Sequence, residues 1–303
     1  MSSVEKMVRG KACVYATGSF GRLEAGSQSD LDLFIVSKVK KQKPAAVNAL
    51  SNLDTILVKA ELINAVRDLN LPDFDGDGKF LECHSTFDFL NHLGGQEDDY
   101  RNILTGRLLM FMEGRPLIGA KVFDFVIDQV LEEYFRDFSD HSDGFIPAFL
   151  CNDILRLWRT FCVNYEFARR RKQKKAKVKN FKLKHSRMLT CYSAICFLLS
   201  RYQKNGTVTI SDAKEMVYLT PLDRIESVSQ SQNSTHITSI KQELFAGYAD
   251  FLKLTDKPED ELVLYFEDNY DELSKNSYLF GDQMRNLIYS VGTNSKFMRL
   301  LVV

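Results

Sequence analysis

The sequence has no net charge: 40 lysines and arginines stand against 40 aspartates and glutamates. The molecule as a whole is therefore no electrostatic trap for nucleic acid, and any such contact must be local. Nor is there a Cys-x-x-Cys pair. The six cysteines, at 13, 83, 151, 162, 191 and 196, mostly lie in apolar surroundings and read as reduced core thiols of a cytoplasmic protein. No apolar run is long enough to span a bilayer, and the first seven residues contain no apolar signal core. A Gly-x-x-x-x-Gly-Lys-Ser/Thr loop and a kinase signature are both missing, which disfavours those routes of phosphate transfer. No internal repeat is present. What remains is the composition of a folded protein, 45% apolar and 26% charged, in a chain of 303 residues. By the usual size of ~100–200 residues per domain, that length suits two domains.

One stretch organises the rest. Ala12-Cys13-Val14-Tyr15-Ala16 reads as a buried strand, followed by Thr17-Gly18-Ser19-Phe20-Gly21-Arg22, where the chain should turn. A second apolar run, Leu31 to Val36, carries Asp30 and Asp32 at its start. Alternate residues of a strand share a face, so the two carboxylates are expected to point to one place. Like charges held so close repel, and a hard divalent cation, magnesium or manganese, relieves the repulsion. Gly18 lets backbone approach a ligand closely, and Ser19 with its neighbouring amides is equipped to cradle a phosphate. The plain alternative is a Gly-Ser turn with two surface aspartates.

Gly18-Ser19, a ten-residue spacer and then Asp30-Leu31-Asp32 resembles the signature of the nucleotidyltransferase superfamily that includes DNA polymerase beta. The fuller string, Gly18-Ser19-Phe20-Gly21-Arg22 with Ser29-Asp30-Leu31-Asp32, is similar to one branch. That branch is the nucleotidyltransferases related to the amino-terminal domain of the uridylyltransferase of the PII nitrogen-regulatory protein. The resemblance implies an α+β fold: a small mixed-sheet nucleotidyltransferase domain over 1–140, then an all-helical domain over 141–303. It also implies a third carboxylate on a strand beside Asp30 and Asp32. The candidate is Glu82, in Lys79-Phe80-Leu81-Glu82-Cys83-His84, where Phe80, Glu82 and His84 would share a face; an exposed strand glutamate is the alternative. Asp75 and Asp77 are fallback ligands. In the branch the third carboxylate is an aspartate followed closely by Gly-His-Ser, whereas here Glu82-Cys83-His84-Ser85 lacks the glycine. Family members carry more chain ahead of the motif strand, so this one is expected to be trimmed there. No regulatory or phosphohydrolase domain is recognisable, and the length falls short of the bifunctional uridylyltransferase.

Downstream, Val47 to Leu69 has helical spacing, and Pro44 and Pro72 bracket it. Asp73-Phe74-Asp75-Gly76-Asp77-Gly78 opens like a calcium-binding EF-hand loop, but its twelfth position is His84 rather than glutamate; an acidic turn is the simpler reading. Helices are expected at Asp88–Gly95, at Asn102–Glu113 with Gly114 as cap, and at Phe123–Phe138. Glu113-Gly114-Arg115-Pro116-Leu117-Ile118-Gly119 resembles a string of the same branch. Arg107, among apolar neighbours, reads as a buried ion-pair partner or a support for the carboxylates. Ser139–Gly144 is a candidate linker. Beyond it the chain reads as helical, with Ser227–Ser234 as a loop and further helices near Ile240–Leu254, Glu259–Asn269 and Phe280–Tyr289.

Eight of the eleven residues from 169 to 179 are basic. A solvated helix end is the ordinary meaning of such a run, and contact with a triphosphate or a nucleic-acid backbone is the functional one. No aromatic residue interleaves with it. By resemblance, Lys182, Lys184 and Ser186 hold the triphosphate beside Gly18, Ser19 and Arg22. The implied activity is metal-dependent transfer of a nucleoside monophosphate from a nucleoside triphosphate such as ATP. The acceptor is a hydroxyl on protein, RNA or a small molecule, and pyrophosphate is released. Asp30, Asp32 and Glu82 are the implied metal and catalytic residues. The rival is a catalytically silent nucleotide-binding or protein-interaction module.

Overall fold

The computed structural model describes residues 3–40, 46–74, 78, 81–170, 173–232 and 234–301. The chain divides into two compact units, Met1–Tyr134 and Phe135–Val303.

The first unit runs α1 (Ser3–Val8), β1 (Ala12–Ala16), α2 (Gly18–Gly21), β2 (Leu33–Ser37), β3 (Val39–Lys40), β4 (Val47–Asn48), α3 (Asn52–Asp68) and β5 (Cys83–Ser85). It closes with α4 (Thr86–Asn91), α5 (Gln96–Tyr100), α6 (Ile103–Glu113), β6 (Arg115–Ile118) and α7 (Ala120–Tyr134). The main sheet has the order β5-β2-β1-β6. β1 is antiparallel to β2 and β6, and β2 is parallel to β5, so the sheet is mixed. Every residue of β1 and β2 is buried, because both faces of the sheet are covered. On one face Val14, Leu33 and Ile35 meet Val4, Val8, Val58 and Leu62 from α1 and α3. On the other, Tyr15 stacks on Phe34 and meets Phe123 of α7 edge-on, while His84 lies between Phe34 and Phe89. The Tyr15 hydroxyl donates to the Gly106 carbonyl at 2.9 Å, which draws α6 onto this face.

Arg107 is fully buried, with two hydrogen bonds to Asp98 (2.8 and 2.9 Å) and one to the Tyr134 hydroxyl. Several boundaries differ from the sequence expectation. The helix expected to follow Pro44 starts at Asn52, where the Ser51 side chain caps it, and Val47 instead pairs in a short hairpin. Pro44 lies outside the described residues. At Gly114 the backbone is extended rather than left-handed. The glycine is needed there for space, since a Cβ would sit 2.4 Å from the Met110 carbonyl oxygen. The string after it forms edge strand β6, whose pairing with β1 tolerates Pro116.

The second unit is helical: α8 (Ala148–Arg169), α9 (Gln173–Lys182), a π-turn (Leu183–Arg187), α10 (Met188–Asn205), α11 (Ile210–Tyr218), α12 (Pro221–Gln232), α13 (Thr235–Thr255), α14 (Glu259–Asp268) and α15 (Tyr270–Gly292). A final 3-10 turn covers Lys296–Leu301. α10 is buried on nearly all sides, with Leu189 and Ala194 through Leu199 sealed from water. Segment 139–144, expected as a linker, is tied into this unit. The Thr207 hydroxyl donates to the Ser142 carbonyl at 2.6 Å and accepts from the Phe145 amide at 3.1 Å. Residues 227–232, expected as a loop, belong to α12. Ile225 and Val228 are fully buried, and their burial overrides the polar composition around them.

Candidate functional site

The motif turn begins where β1 ends. Thr17 is extended, and its amide donates to the Asp32 carbonyl at 2.9 Å, the last rung of the β1–β2 ladder. Gly18 then takes φ +64°, a conformation that side chains rarely adopt, and α2 follows. Because the chain turns away here, β2 starts only at Leu33. Asp30 and Asp32, expected within the strand, stand just before it, both half-buried. A Cβ on Gly18 would come 2.8 Å from Asp32 Oδ2, so the carboxylate rests directly on the motif glycine.

The turn is held from below by a residue that the sequence reading did not assign. Glu113, buried at the end of α6, accepts the Gly18 amide on Oε1 (2.9 Å) and Arg22 Nη1 on Oε2 (2.7 Å). Arg22 Nε also donates to Glu24 at 2.8 Å. The arginine expected at the nucleotide is thus turned inward onto two carboxylates and is itself buried. The close fit continues at Gly21, where a Cβ would lie 2.0 Å from the Glu113 carbonyl oxygen. Of the amides expected to cradle a phosphate, that of Gly18 is committed to Glu113. Those of Ser19 and Phe20 open the first turn of α2, where a helix has no acceptor of its own to offer. Ser19 is half-buried.

Glu82 is exposed and sits one residue before β5. Ile35 pairs with Cys83, and the Ile35 amide donates to the Glu82 carbonyl at 3.3 Å, so Glu82 stands opposite Phe34. By strand parity it falls on the same side as Asp32. Ordinary strand spacings put the two Cα atoms ~8 Å apart. Its sequence neighbour His84 is core, 3% exposed, and burial pushes its pKa down to about 4. Asp75, Asp77 and Phe80 lie outside the described residues. Among the described residues no group of three or more histidine, cysteine, aspartate or glutamate side chains is gathered so as to hold a metal ion. The donors at the motif are carboxylate oxygens, which suit magnesium or manganese.

Lys182, Lys184 and Ser186 belong to the second unit. Lys182 is exposed, and the Ser186 hydroxyl donates to its carbonyl at 3.0 Å. The Lys184 ammonium lies over the Tyr278 ring, 3.6 Å from its centre. In the basic run, Lys175 pairs with Glu259 at 2.6 Å and Lys177 lies over Tyr270. Two of its charges therefore already have partners on neighbouring elements; residues 171 and 172 and the side chains of 173 and 174 lie outside what is described.

Residues 2–77 match the family model of the nucleotidyltransferase domain. This segment is similar to a nucleotidyltransferase domain. The match covers about a quarter of the chain and takes in β1, the motif turn, Asp30 and Asp32. It stops before Glu82, Glu113 and the whole second unit. No curated protein and no solved structure gives a match. Among the described residues no helix is long and apolar enough to cross a membrane. The matched segment thus holds Asp30 and Asp32, while Glu113 beneath the turn and Glu82 belong to chain further on.

Proposed function

We propose that the chain transfers a nucleoside monophosphate from a nucleoside triphosphate to an acceptor hydroxyl, with a catalytic domain over about the first 140 residues followed by a helical domain. The observation that carries this reading is the seating of Asp32 against Gly18, with the Gly18 amide fixed by buried Glu113. Asp30 and Asp32 would hold magnesium or manganese. Once bound, such a cation neutralises the triphosphate and makes the acceptor hydroxyl more acidic. Glu82 is assigned as third carboxylate and as acceptor of the hydroxyl proton. The acceptor oxygen then bonds to the α-phosphorus as the bond to the β-phosphate breaks and pyrophosphate leaves. Ser19 is assigned to the departing phosphates. Lys182, Lys184 and Ser186 are assigned there too, on the resemblance of their segment alone. The resemblance to the PII uridylyltransferase branch makes a protein acceptor one choice among protein, RNA and small molecule.

The test is release of labelled pyrophosphate from each of the four ribonucleoside triphosphates with magnesium or manganese, with and without cell extract as a source of acceptors. Wild type should release it, and Asp30→Ala/Asp32→Ala should lose at least ~10²-fold in rate, the scale of removing one preorganised stabilising group. Release that survives in the double variant would overturn the assignment. The silent nucleotide-binding module is a second reading, favoured by the lack of a gathered third ligand among the described residues. It requires nucleotide binding with no pyrophosphate release under any of these conditions.

A further inference from the structure

Outside the motif, a cavity of about 420 Å³ lies in the second unit, bounded by α9, the π-turn, α13 and α15. That volume lies in the range of small-molecule sites. Its walls are aromatic: Phe181, Phe251 and Phe280, each buried, together with His185. The His185 ring lies nearly parallel to Phe251 (8°, 5.1 Å between centres) and 4.7 Å from Phe280. Only 2% of His185 is exposed. A carbonyl cannot donate, so the 2.9 Å bond between Nδ1 and the Phe181 carbonyl places the ring proton on Nδ1. Nε2 then carries the ring's lone pair. Burial holds the ring pKa down at about 4, so the lone pair is present at neutral pH.

Glu243 and Asp250, the latter 3.9 Å from Lys253, bring two carboxylates to the exposed rim, and among the described residues no lysine or arginine lines the cavity. Glu243 accepts one hydrogen bond from Gln283. Such a lining repels phosphates and rewards a donor with positive charge. Aromatic faces attract a cation, an imidazole lone pair accepts an N–H, and two carboxylates supply countercharge.

We propose that this cavity is a binding site for a small organic ammonium compound with an apolar body, its N–H on His185 Nε2 and its apolar part among Phe181, Phe251 and Phe280. The site is separate from the transferase reading and stands or falls without it.

The test uses the full chain with phenethylamine as probe and phenethyl alcohol as its neutral counterpart, titrated by NMR chemical-shift mapping and calorimetry. The amine should bind saturably, about tenfold tighter than the alcohol. Its shifts should centre on His185, Phe251 and Phe280. Glu243→Gln/Asp250→Asn changes only exposed positions and should weaken the amine at least about fivefold while leaving the alcohol unchanged. Ala246→Trp, also at an exposed position lining the cavity, should abolish binding of both without altering the circular dichroism melt. Equal affinity for amine and alcohol, binding indifferent to Ala246→Trp, or no saturable binding into the millimolar range would each overturn the proposal.

Discussion

At the scale of the residue, Gly18 serves fold and chemistry at once. Its positive φ lets β1 turn into α2, and its missing side chain leaves room for Asp32 Oδ2. In Gly18→Ala the fold should yield only modestly, about 1–2 kcal/mol for the left-handed backbone, since the atom in the way ends a flexible side chain. Asp32 must move, so pyrophosphate release should drop at least about tenfold while the melt shifts little; an unchanged rate would show that the position of Asp32 does not matter. Glu113→Gln removes the charge facing buried Arg22 and should cost about 2–3 kcal/mol, read by urea unfolding. The sequence made Gly18, Asp30 and Asp32 legible because spacing alone marks them. Glu113 was visible only as part of a string at a helix end, 95 positions from the amide that it accepts. Nothing local to Glu113 announces a partner so far along the chain.

At the scale of the element, the helices were legible where apolar residues recur at helical spacing, as at α6 and α13. Residues 227–232 were not, because serine and glutamine dominate the local composition while Val228 and Ile225 decide the packing. β6 was hidden by Pro116, and its strand character comes from β1 beside it. The short α5 is fastened to α6 by the fully buried Asp98–Arg107 pair. Asp98→Asn leaves an uncompensated guanidinium in the core and should destabilise the protein by about 3–5 kcal/mol. Denaturant unfolding should reveal it, and a loss under about 1 kcal/mol would mean that the pair is not sealed as it stands.

At the scale of the whole molecule, each unit carries one buried neutral histidine: His84 in the first, His185 in the second. Both have native pKa values near 4, against 6.5 for a free histidine. Between those values the unfolded chain binds protons that the native chain refuses, so stability rises with pH across this window. It is fully present above pH 6.5 and is lost as pH falls toward 4. Each histidine accounts for up to about 3 kcal/mol of that loss. Urea midpoints should therefore fall steeply between pH 7 and pH 4.5 and stay flat from pH 7 to pH 8. A flat profile below pH 6.5 would place both rings in contact with water. The cysteines agree with this closed interior: none of the six is in a disulfide, four are buried, and burial pushes Cys13 and Cys196 up to about 12.

The five-residue π-turn at Leu183–Arg187 has a consequence for the arithmetic of the chain. α9 and α10 form one rod whose two halves are out of step by a residue, roughly 100° of rotation. Along an ordinary surface helix, swapping a residue and dropping one differ little when nothing is packed beyond. Here the count itself is the information. For the fold, replacing Lys184 by alanine forfeits its perch over Tyr278, whereas deleting it restores an even spiral. Ala176, Val178 and Phe181 would then swing away from the interior that Leu189 and Cys191 still face. The protein should read the two edits as a blemish and a broken key.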